Sequence, residues 1–158
     1  MSREITSSAN PLIKQLRALA TSKKARQESR RFLIEGWRGI QTLLDHESTV
    51  YSLEQLLISN DWNAAPLPAG IDAVRVPDHV FNKVSDVRNA QGILGVVRKK
   101  DIVQPLPDSG KFLLLDQLRD PGNLGTLIRS AVGAGFDGIL LYGDCVEPEN
   151  PKVIRSTM

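Results

Sequence analysis

Short apolar runs and amphipathic stretches alternate over roughly the first hundred residues, a pattern typical of α/β domains. Asn10 and Pro11 predict a helix start, because Asn is a good cap and Pro loses no hydrogen bond at the first helical position. Further helices are expected to begin at Trp37 and near Asp78, which is placed to cap the second of them. Strands are predicted for apolar runs at residues 32–34, 53–59, 73–76 and 92–97.

A β-loop-α-β unit is predicted in residues 112–142. Its first apolar run, Phe112–Leu115, is expected to be buried on both faces, as strands of parallel sheets are. A turn of Asp, Pro, Gly and Asn follows, and Asn123 is expected to cap the next helix. A second apolar run, Gly138–Tyr142, completes the unit. Because ligands of such units lie outside the carboxyl ends of the strands, residues 116–123 are expected to face a ligand.

Residues 100–110 break the periodicity with two prolines and a glycine, and they predict an interdomain linker between domains at residues 1–99 and 111–158. Residues 152–158 resemble the first turns of another helix. An independent sheet normally needs three strands or more. We therefore expect residues 111–158 to be the front part of a larger, incomplete parallel-sheet domain.

Composition narrows the class of protein. The 158 residues are 41% hydrophobic, which is enough for a packed core. The single cysteine excludes an internal disulfide framework and favours a reducing compartment. No apolar run approaches the roughly 18 residues of a membrane span, and the polar N-terminus does not resemble a signal peptide. We expect a cytoplasmic protein that does not enter a membrane.

Positive charge is concentrated near the N-terminus. Residues 1–44 hold nine Lys and Arg against three acidic residues, on a chain whose net charge is only +2. This asymmetry predicts an anionic partner, most often nucleic acid, although a solvated helix face is the alternative. The basic residues are expected on an exposed helix end or loop, where they contact phosphates. The candidates for RNA binding are Lys14, Arg17, Lys24, Arg26, Arg30 and Arg31.

Common catalytic and ligand-binding motifs are absent from the sequence, including a Walker lysine, GxGxxG, HExxH and a CxxC pair. The two histidines are isolated, so no metal site is predicted. What remains is Asn123 and Arg129 on one helix, about 120° apart around its axis. Arg129 suits phosphate or ribose recognition. The alternative is an ion pair between Arg129 and Asp116 or Asp120 that only fixes the loop, and these residues alone leave both interpretations open.

Motif spacing adds a family resemblance that covers essentially the whole chain. The first signature motif of the SpoU (TrmH) family of RNA 2′-O-ribose methyltransferases resembles the pattern Asp116-x-x-x-Asp120-Pro121-x-Asn123-x-Gly125-x-x-x-Arg129-x-Ala131-x-x-x-Gly135. Residues 150–156 resemble the beginning of the second motif. Residues 10–14, 32–36 and 91–94 are similar to parts of the family's substrate-binding domain.

The resemblance implies a small α/β substrate-binding domain with a ribosomal-protein-like fold, followed by a SPOUT catalytic domain. That domain binds S-adenosylmethionine in a deep C-terminal trefoil knot and works as a homodimer. Carried over by position, Arg129 and Asn123 are the catalytic residues. Because arginine stays protonated in proteins, we favour a role in which Arg129 positions the ribose hydroxyl or a phosphate and stabilises developing alkoxide charge.

The motifs that supply the family's cofactor site are expected beyond Met158, so we expect this chain alone to bind S-adenosylmethionine poorly and to be inactive. The leading hypothesis is a methyltransferase acting on ribose 2′-hydroxyls of RNA, with ribosomal RNA favoured because a separate recognition domain precedes the catalytic one. A non-catalytic RNA-binding module is the alternative. Another kind of nucleotide-binding α/β enzyme is disfavoured, because no phosphate-binding loop is present.

Overall fold

A computed structural model describes residues 3–46, 48–87, 89–102 and 105–158. The chain divides into two compact units, Met1–Ile102 and Val103–Met158. Both combine strands with helices, which confirms the predicted α/β class. Among the described residues, no helix has the length and apolar character needed to cross a bilayer.

The first unit is built on a mixed sheet of five strands in the order β1-β4-β3-β5-β2. Strand β5 runs antiparallel to both of its neighbours, whereas β4 is parallel to β1 and to β3. Apolar side chains from the sheet and from the helices against it form the buried core. The elements are β1 (Arg3–Glu4), α1 (Pro11–Thr21), α2 (Lys23–Ser29), β2 (Arg31–Glu35), α3 (Trp37–Asp45), β3 (Tyr51–Ser59), β4 (Asp72–Val76), α4 (Asp78–Phe81) and β5 (Ile93–Lys99).

Local sequence explains most of the helix starts in this unit. The Asn10 side chain accepts a hydrogen bond from the Leu12 N–H at 2.9 Å, and Pro11 is the first helical residue, as predicted. The prediction that Asp78 caps α4 is wrong: Asp78 is the first residue of that helix and Pro77 occupies the cap position. Asp78 still favours the helix there, because a negative charge in the first turn complements the helix dipole.

One helix of the unit approaches the sheet at a glycine. A Cβ added to Gly95 in β5 would lie 2.9 Å from Leu53 Cδ1 and 3.1 Å from Ile40 Cγ1. Ile40, on α3, is fully buried. The absence of a side chain at Gly95 therefore lets α3 pack closely on the middle of the sheet.

The second unit has the predicted β-loop-α-β order, with β6 (Phe112–Asp116), α5 (Pro121–Gly133), β7 (Gly138–Tyr142) and α6 (Pro151–Thr157). Strands β6 and β7 are parallel and in register from Phe112↔Gly138 to Asp116↔Tyr142. The prediction that Asn123 caps α5 is wrong. Asp120 occupies the cap position, and its side chain accepts a hydrogen bond from the Asn123 N–H at 2.7 Å.

Burial in this unit also differs from the prediction. Phe112–Leu115 was expected to be buried on both faces, but Leu114 is 63% exposed. Tyr142 on β7 and Val132 on α5 are exposed as well. The two strands form a separate two-stranded sheet, so one row of apolar side chains has no layer packed on it within the described residues.

Candidate functional site

The loop after β6 is held against the end of β7 by backbone hydrogen bonds. Gln117 adopts a left-handed conformation with φ of 51°, and its N–H donates to the Tyr142 carbonyl oxygen at 3.0 Å. The next N–H, from Leu118, donates to Cys145 Sγ at 3.3 Å. These contacts fix the path of the chain from the sheet to the cap of α5.

Asn123 lies in the first turn of α5 and its side chain is exposed. Its backbone N–H is engaged by Asp120, but its side-chain amide makes no hydrogen bond to any described residue. The residue therefore contributes to the helix start through its backbone and leaves its amide group accessible to a ligand.

Arg129 lies further along the same helix, and its side chain is also exposed. Among the described residues it has no ion-pair partner, so the alternative of a structural pair with Asp116 or Asp120 is not what the structure shows. Asn123 and Arg129 are six positions apart, which corresponds to about 9 Å along a helix axis, and they do not contact each other. The structure thus presents an amide and a guanidinium on the helix that follows β6, and neither has a partner in the described part of the chain.

Gly125 of the resemblance pattern has a packing role. A Cβ at this position would lie 2.2 Å from Ser156 Cβ and 3.0 Å from the Ser156 backbone carbon. Helix α6 therefore crosses α5 almost at backbone contact, and Leu124 and Val153 are completely buried. Asn150 caps α6 by accepting a hydrogen bond from the Lys152 N–H at 2.9 Å.

The six candidate RNA-binding residues of the first unit have different environments. Arg26 is only 6% exposed, and its Nη1 donates to the Leu19 carbonyl oxygen at 2.6 Å. The expectation that Arg26 is an exposed phosphate contact is therefore wrong. Its guanidinium instead satisfies a backbone acceptor in the last turns of α1, where intrahelical donors run out.

Arg31 belongs to an ion-pair network on the sheet. Its Nε donates to Glu54 Oε2 at 2.6 Å, and Arg98 Nη1 lies 3.3 Å from Glu54 Oε1. Burial raises the pKa of the Glu54 carboxyl, but the hydrogen bonds and charges of Arg31 and Arg98 outweigh it, so the pKa lies below its ordinary value. The charge of Arg31 is thus largely committed within the protein.

The remaining four candidates are exposed. Arg30 pairs with Asp101, and Lys24 lies 3.7 Å from Glu28 in a solvated i,i+4 pair. Lys14 and Arg17 stand one turn apart on α1, and neither has an ion-pair partner among the described residues. These two side chains are therefore the members of the predicted basic set most available to phosphates.

Comparison with known families gives this geometry a context. Residues 10–95 match the MRM3-like substrate binding domain, and residues 110–158 match the SpoU rRNA Methylase family. The chain belongs to the SpoU family. The family resemblance inferred from the motif spacing is therefore confirmed.

Two relatives are similar to this chain in sequence. The chain is 31% identical over 155 residues to the Bacillus subtilis 23S rRNA (guanosine(2553)-2′-O)-methyltransferase RlmP, covering 98% of this chain and 60% of that protein. Human mitochondrial rRNA methyltransferase 3 is 42% identical over 96 residues, covering 56% of this chain and 23% of that protein.

A solved SpoU-type structure shows the same fold. The AdoMet-bound rRNA methyltransferase from Sinorhizobium meliloti superposes with a TM-score of 0.80 at 30% identity, covering 99% of this chain and 60% of that one. The chain thus spans about three fifths of the length of its bacterial relatives.

Proposed function

We propose that this protein takes part in the methylation of ribosomal RNA, transferring a methyl group from S-adenosylmethionine to a ribose 2′-hydroxyl. The observation that carries the proposal is the pair of exposed side chains of Asn123 and Arg129 on α5, which bond to no described residue and lie within the segment that matches the SpoU methylase family. Support for the reaction comes from one relative whose name describes rRNA 2′-O-methylation and from a neighbour with bound AdoMet.

Arg129 has the chemistry for a positioning and charge-stabilising role. Its planar group offers five N–H donors, which can bind a ribose hydroxyl and a neighbouring phosphate together. When the ribose hydroxyl loses its proton to water, negative charge develops on its oxygen, and a fixed cation beside that oxygen would stabilise the alkoxide that accepts the methyl group. The Asn123 amide supplies a neutral donor and acceptor for the same nucleotide.

The residues of this chain do not by themselves suggest how the cofactor is held. S-adenosylmethionine carries an adenine, a ribose and a charged amino acid group, which require an enclosed pocket with several hydrogen-bonding walls. The polar side chains of Asp116, Asp120 and Asp144 at the ends of β6 and β7 are exposed. We assign no residue of this chain to cofactor binding.

Mapping of ribose methylation in rRNA tests the proposal. Cells that lack the gene should lose the modification at one position, and the wild-type gene should restore it. A gene that encodes Arg129→Ala should restore the modification at a rate at least about a hundredfold lower, because loss of one donor to a developing oxyanion lowers the rate by that factor. Lys111→Ala removes an exposed cation just before β6 and is the matched control. Unchanged methylation in the gene-deleted cells contradicts the proposed function.

Further parts of the proposal follow from the resemblance to the SpoU family. We propose residues 1–99 as the substrate-binding domain, residues 100–110 as a linker, residues 111–158 as part of the catalytic domain, and a cytoplasmic homodimer as the working form. The homodimer is proposed to form through the complete catalytic domain. Analytical ultracentrifugation of a protein that contains that whole domain tests the assembly, and a monomer at micromolar concentration would contradict the homodimer.

A further inference from the structure

A cleft lies at one end of the strands of the first unit, where β3 and β4 end and β5 begins. In open α/β sheets the region outside the carboxyl ends of the strands is the common place for a ligand. The cleft has a volume of about 430 Å³, within the range of small-molecule sites. The residues that line it include Asp61, Trp62, Asn63, Asp78, Asn82 and Gln91.

The backbone around the cleft is tightly connected. The Ser59 N–H donates to the Gly92 carbonyl oxygen at 2.8 Å, and the Gly36 N–H donates to the Ile93 carbonyl oxygen at 3.0 Å. Gly92 has a φ of 75°, and a Cβ there would lie 2.6 Å from Ser59 Oγ. Adjacent strand ends are thus joined at a close approach that requires glycine, which makes the cleft preformed.

Two buried aromatic residues, Trp62 and Phe81, are among those that line the cleft. Trp62 is only 7% exposed, and its ring lies 5.8 Å from that of Trp37 in a tilted arrangement. Phe81, which also contributes to the lining, is almost fully buried. These two rings are therefore almost completely covered, and the accessible surface of the cleft comes mainly from polar groups.

The rim offers unused hydrogen-bonding groups. Asn63, Asn82 and Gln91 are exposed, and their side-chain amides bond to no group in the described part of the chain. Asp61 and Asp78 add two carboxylates, and none of the described lining residues is Lys or Arg. The two carboxylates disfavour a phosphate, whereas a flat, neutral group with both donors and acceptors along its edge complements these amides and carboxylates.

Nucleobases are such groups. In RNA recognition, unpaired bases are taken into protein pockets and read along their edges by side-chain hydrogen bonds. Asn and Gln suit adenine edges, and Asp accepts from the amino group of cytosine. Phosphate contacts position an RNA without reading its sequence, so a base pocket supplies what Lys14 and Arg17 do not.

We propose that this cleft binds one unpaired base of the RNA substrate, with the amides of Asn63, Asn82 and Gln91 reading its edge. The inference rests on the proposed function, because it assumes an RNA substrate. It assigns sequence preference to the first unit, independently of the methylation chemistry proposed for α5.

The test measures binding of the 158-residue chain to four hairpin RNAs that differ only in one unpaired loop base, each over a series of salt concentrations. We expect the wild-type chain to prefer one base by about tenfold. Asn82→Ala and Gln91→Ala should each remove most of that preference and leave the salt slope unchanged, because they touch no phosphate. Gln41→Ala, at an exposed amide on α3 outside the cleft, should retain both.

The outcomes separate this inference from the proposed function. Equal binding of all four hairpins by the wild-type chain, or a preference that survives both cleft substitutions, overturns the base pocket and leaves RNA binding intact. Failure to bind any hairpin contradicts the RNA-binding role and the pocket together.

A second measurement uses the wild-type chain alone, so it does not require any substituted protein to fold. Titration of the isotopically labelled wild-type chain with the four free nucleosides should shift the side-chain NH₂ resonances of Asn63, Asn82 and Gln91 before that of Gln41. Equal, small shifts at all four amides count against the pocket.

Discussion

The two units are built from similar apolar patterns but reach different degrees of burial. In the first unit Leu56, Val74 and Ile93 on neighbouring strands are 0% exposed. In the second unit Leu114 on β6 and Val132 on α5 are 63% and 73% exposed. The first sheet has five strands, and the second has two. An apolar run therefore predicts a strand or helix, whereas its burial depends on how many other elements pack around it.

The predicted functional polar side chains also differ between the two units, in whether they bond within the protein. In the first unit Arg26 and Arg31 are held by acceptors within the protein. In the second unit the side chains of Asn123 and Arg129 have no hydrogen-bond or ion-pair partner among the described residues. Two of the predicted RNA-binding residues of the first unit thus hold its own structure, whereas the two predicted catalytic side chains of the second unit are left accessible.

Gly125→Ala should have the largest effect and should act on the second unit alone. The added Cβ would lie 2.2 Å from Ser156 Cβ, so α5 and α6 would have to move apart. We expect the second unit to lose about 3 kcal/mol of stability, because overpacking at a close contact strains both helices. Hydrogen exchange should show faster exchange of α5 and α6 amides and unchanged exchange of β3 and β5.

Gly133→Ala is the matched control on the same helix. A Cβ at Gly133 has no neighbouring atom within 4 Å, so this change should stabilise α5 by up to about 1 kcal/mol through helix propensity. Similar losses in both variants would show that the crossing at Gly125 is not the cause.

Arg26→Ala should destabilise only the first unit. It leaves the Leu19 carbonyl oxygen without its 2.6 Å partner, which costs about 2 kcal/mol for a buried acceptor. Chemical denaturation measures this loss, with Lys24→Ala, at a solvated pair on the same helix, as a nearly neutral control. A fully stable Arg26→Ala protein with a reduced salt dependence of RNA binding would instead restore Arg26 as a phosphate contact.

Replacing Lys14 and Arg17 together by Ala should weaken RNA binding without loss of stability. Each lost phosphate contact removes a little less than one unit from the slope of log affinity against log salt, so we expect a decrease of about 1.5. Binding titrations at several salt concentrations measure it, and Arg30→Ala, which removes a cation paired with Asp101, should have a smaller effect. An unchanged slope would place the RNA-binding surface elsewhere.

Glu54→Gln should have the smallest effect and should depend on pH. The folded-state pKa of Glu54 lies below its ordinary value of 4.5, so its ion pairs stabilise the protein above that value and are lost as the pH falls through the folded-state pKa. We expect a loss of about 1 kcal/mol at neutral pH that shrinks in acid. Denaturation at several pH values measures it, with Glu28→Gln, at an exposed pair, as control. A difference that does not vary with pH would contradict the ion-pair explanation.

The rule that a cap residue precedes a proline at a helix start identifies helix starts in both units of this structure. Asn10 was identified as a cap because Pro11 follows it, and the same rule applied to Asp120-Pro121 selects Asp120 rather than Asn123. The pairs that sequence spacing could not reveal are long-range ones. Glu54 meets Arg31 across the sheet, and the strand Arg3–Glu4 is too short to show a pattern before it pairs with β4.

The arrangement of the first sheet also constrains the order in which the protein can fold during synthesis. Strand β5 is the last of the five strands in the sequence, yet it lies between β3 and β2 in the sheet. In the ladder between β2 and β5, Arg31 lies opposite Arg98. Until Lys99 has left the ribosome, β2 and β3 have no strand to join them. The backbone N–H and C=O groups on their facing edges stay unpaired throughout that interval, so the nascent first unit is most vulnerable to misassociation just before its final strand emerges.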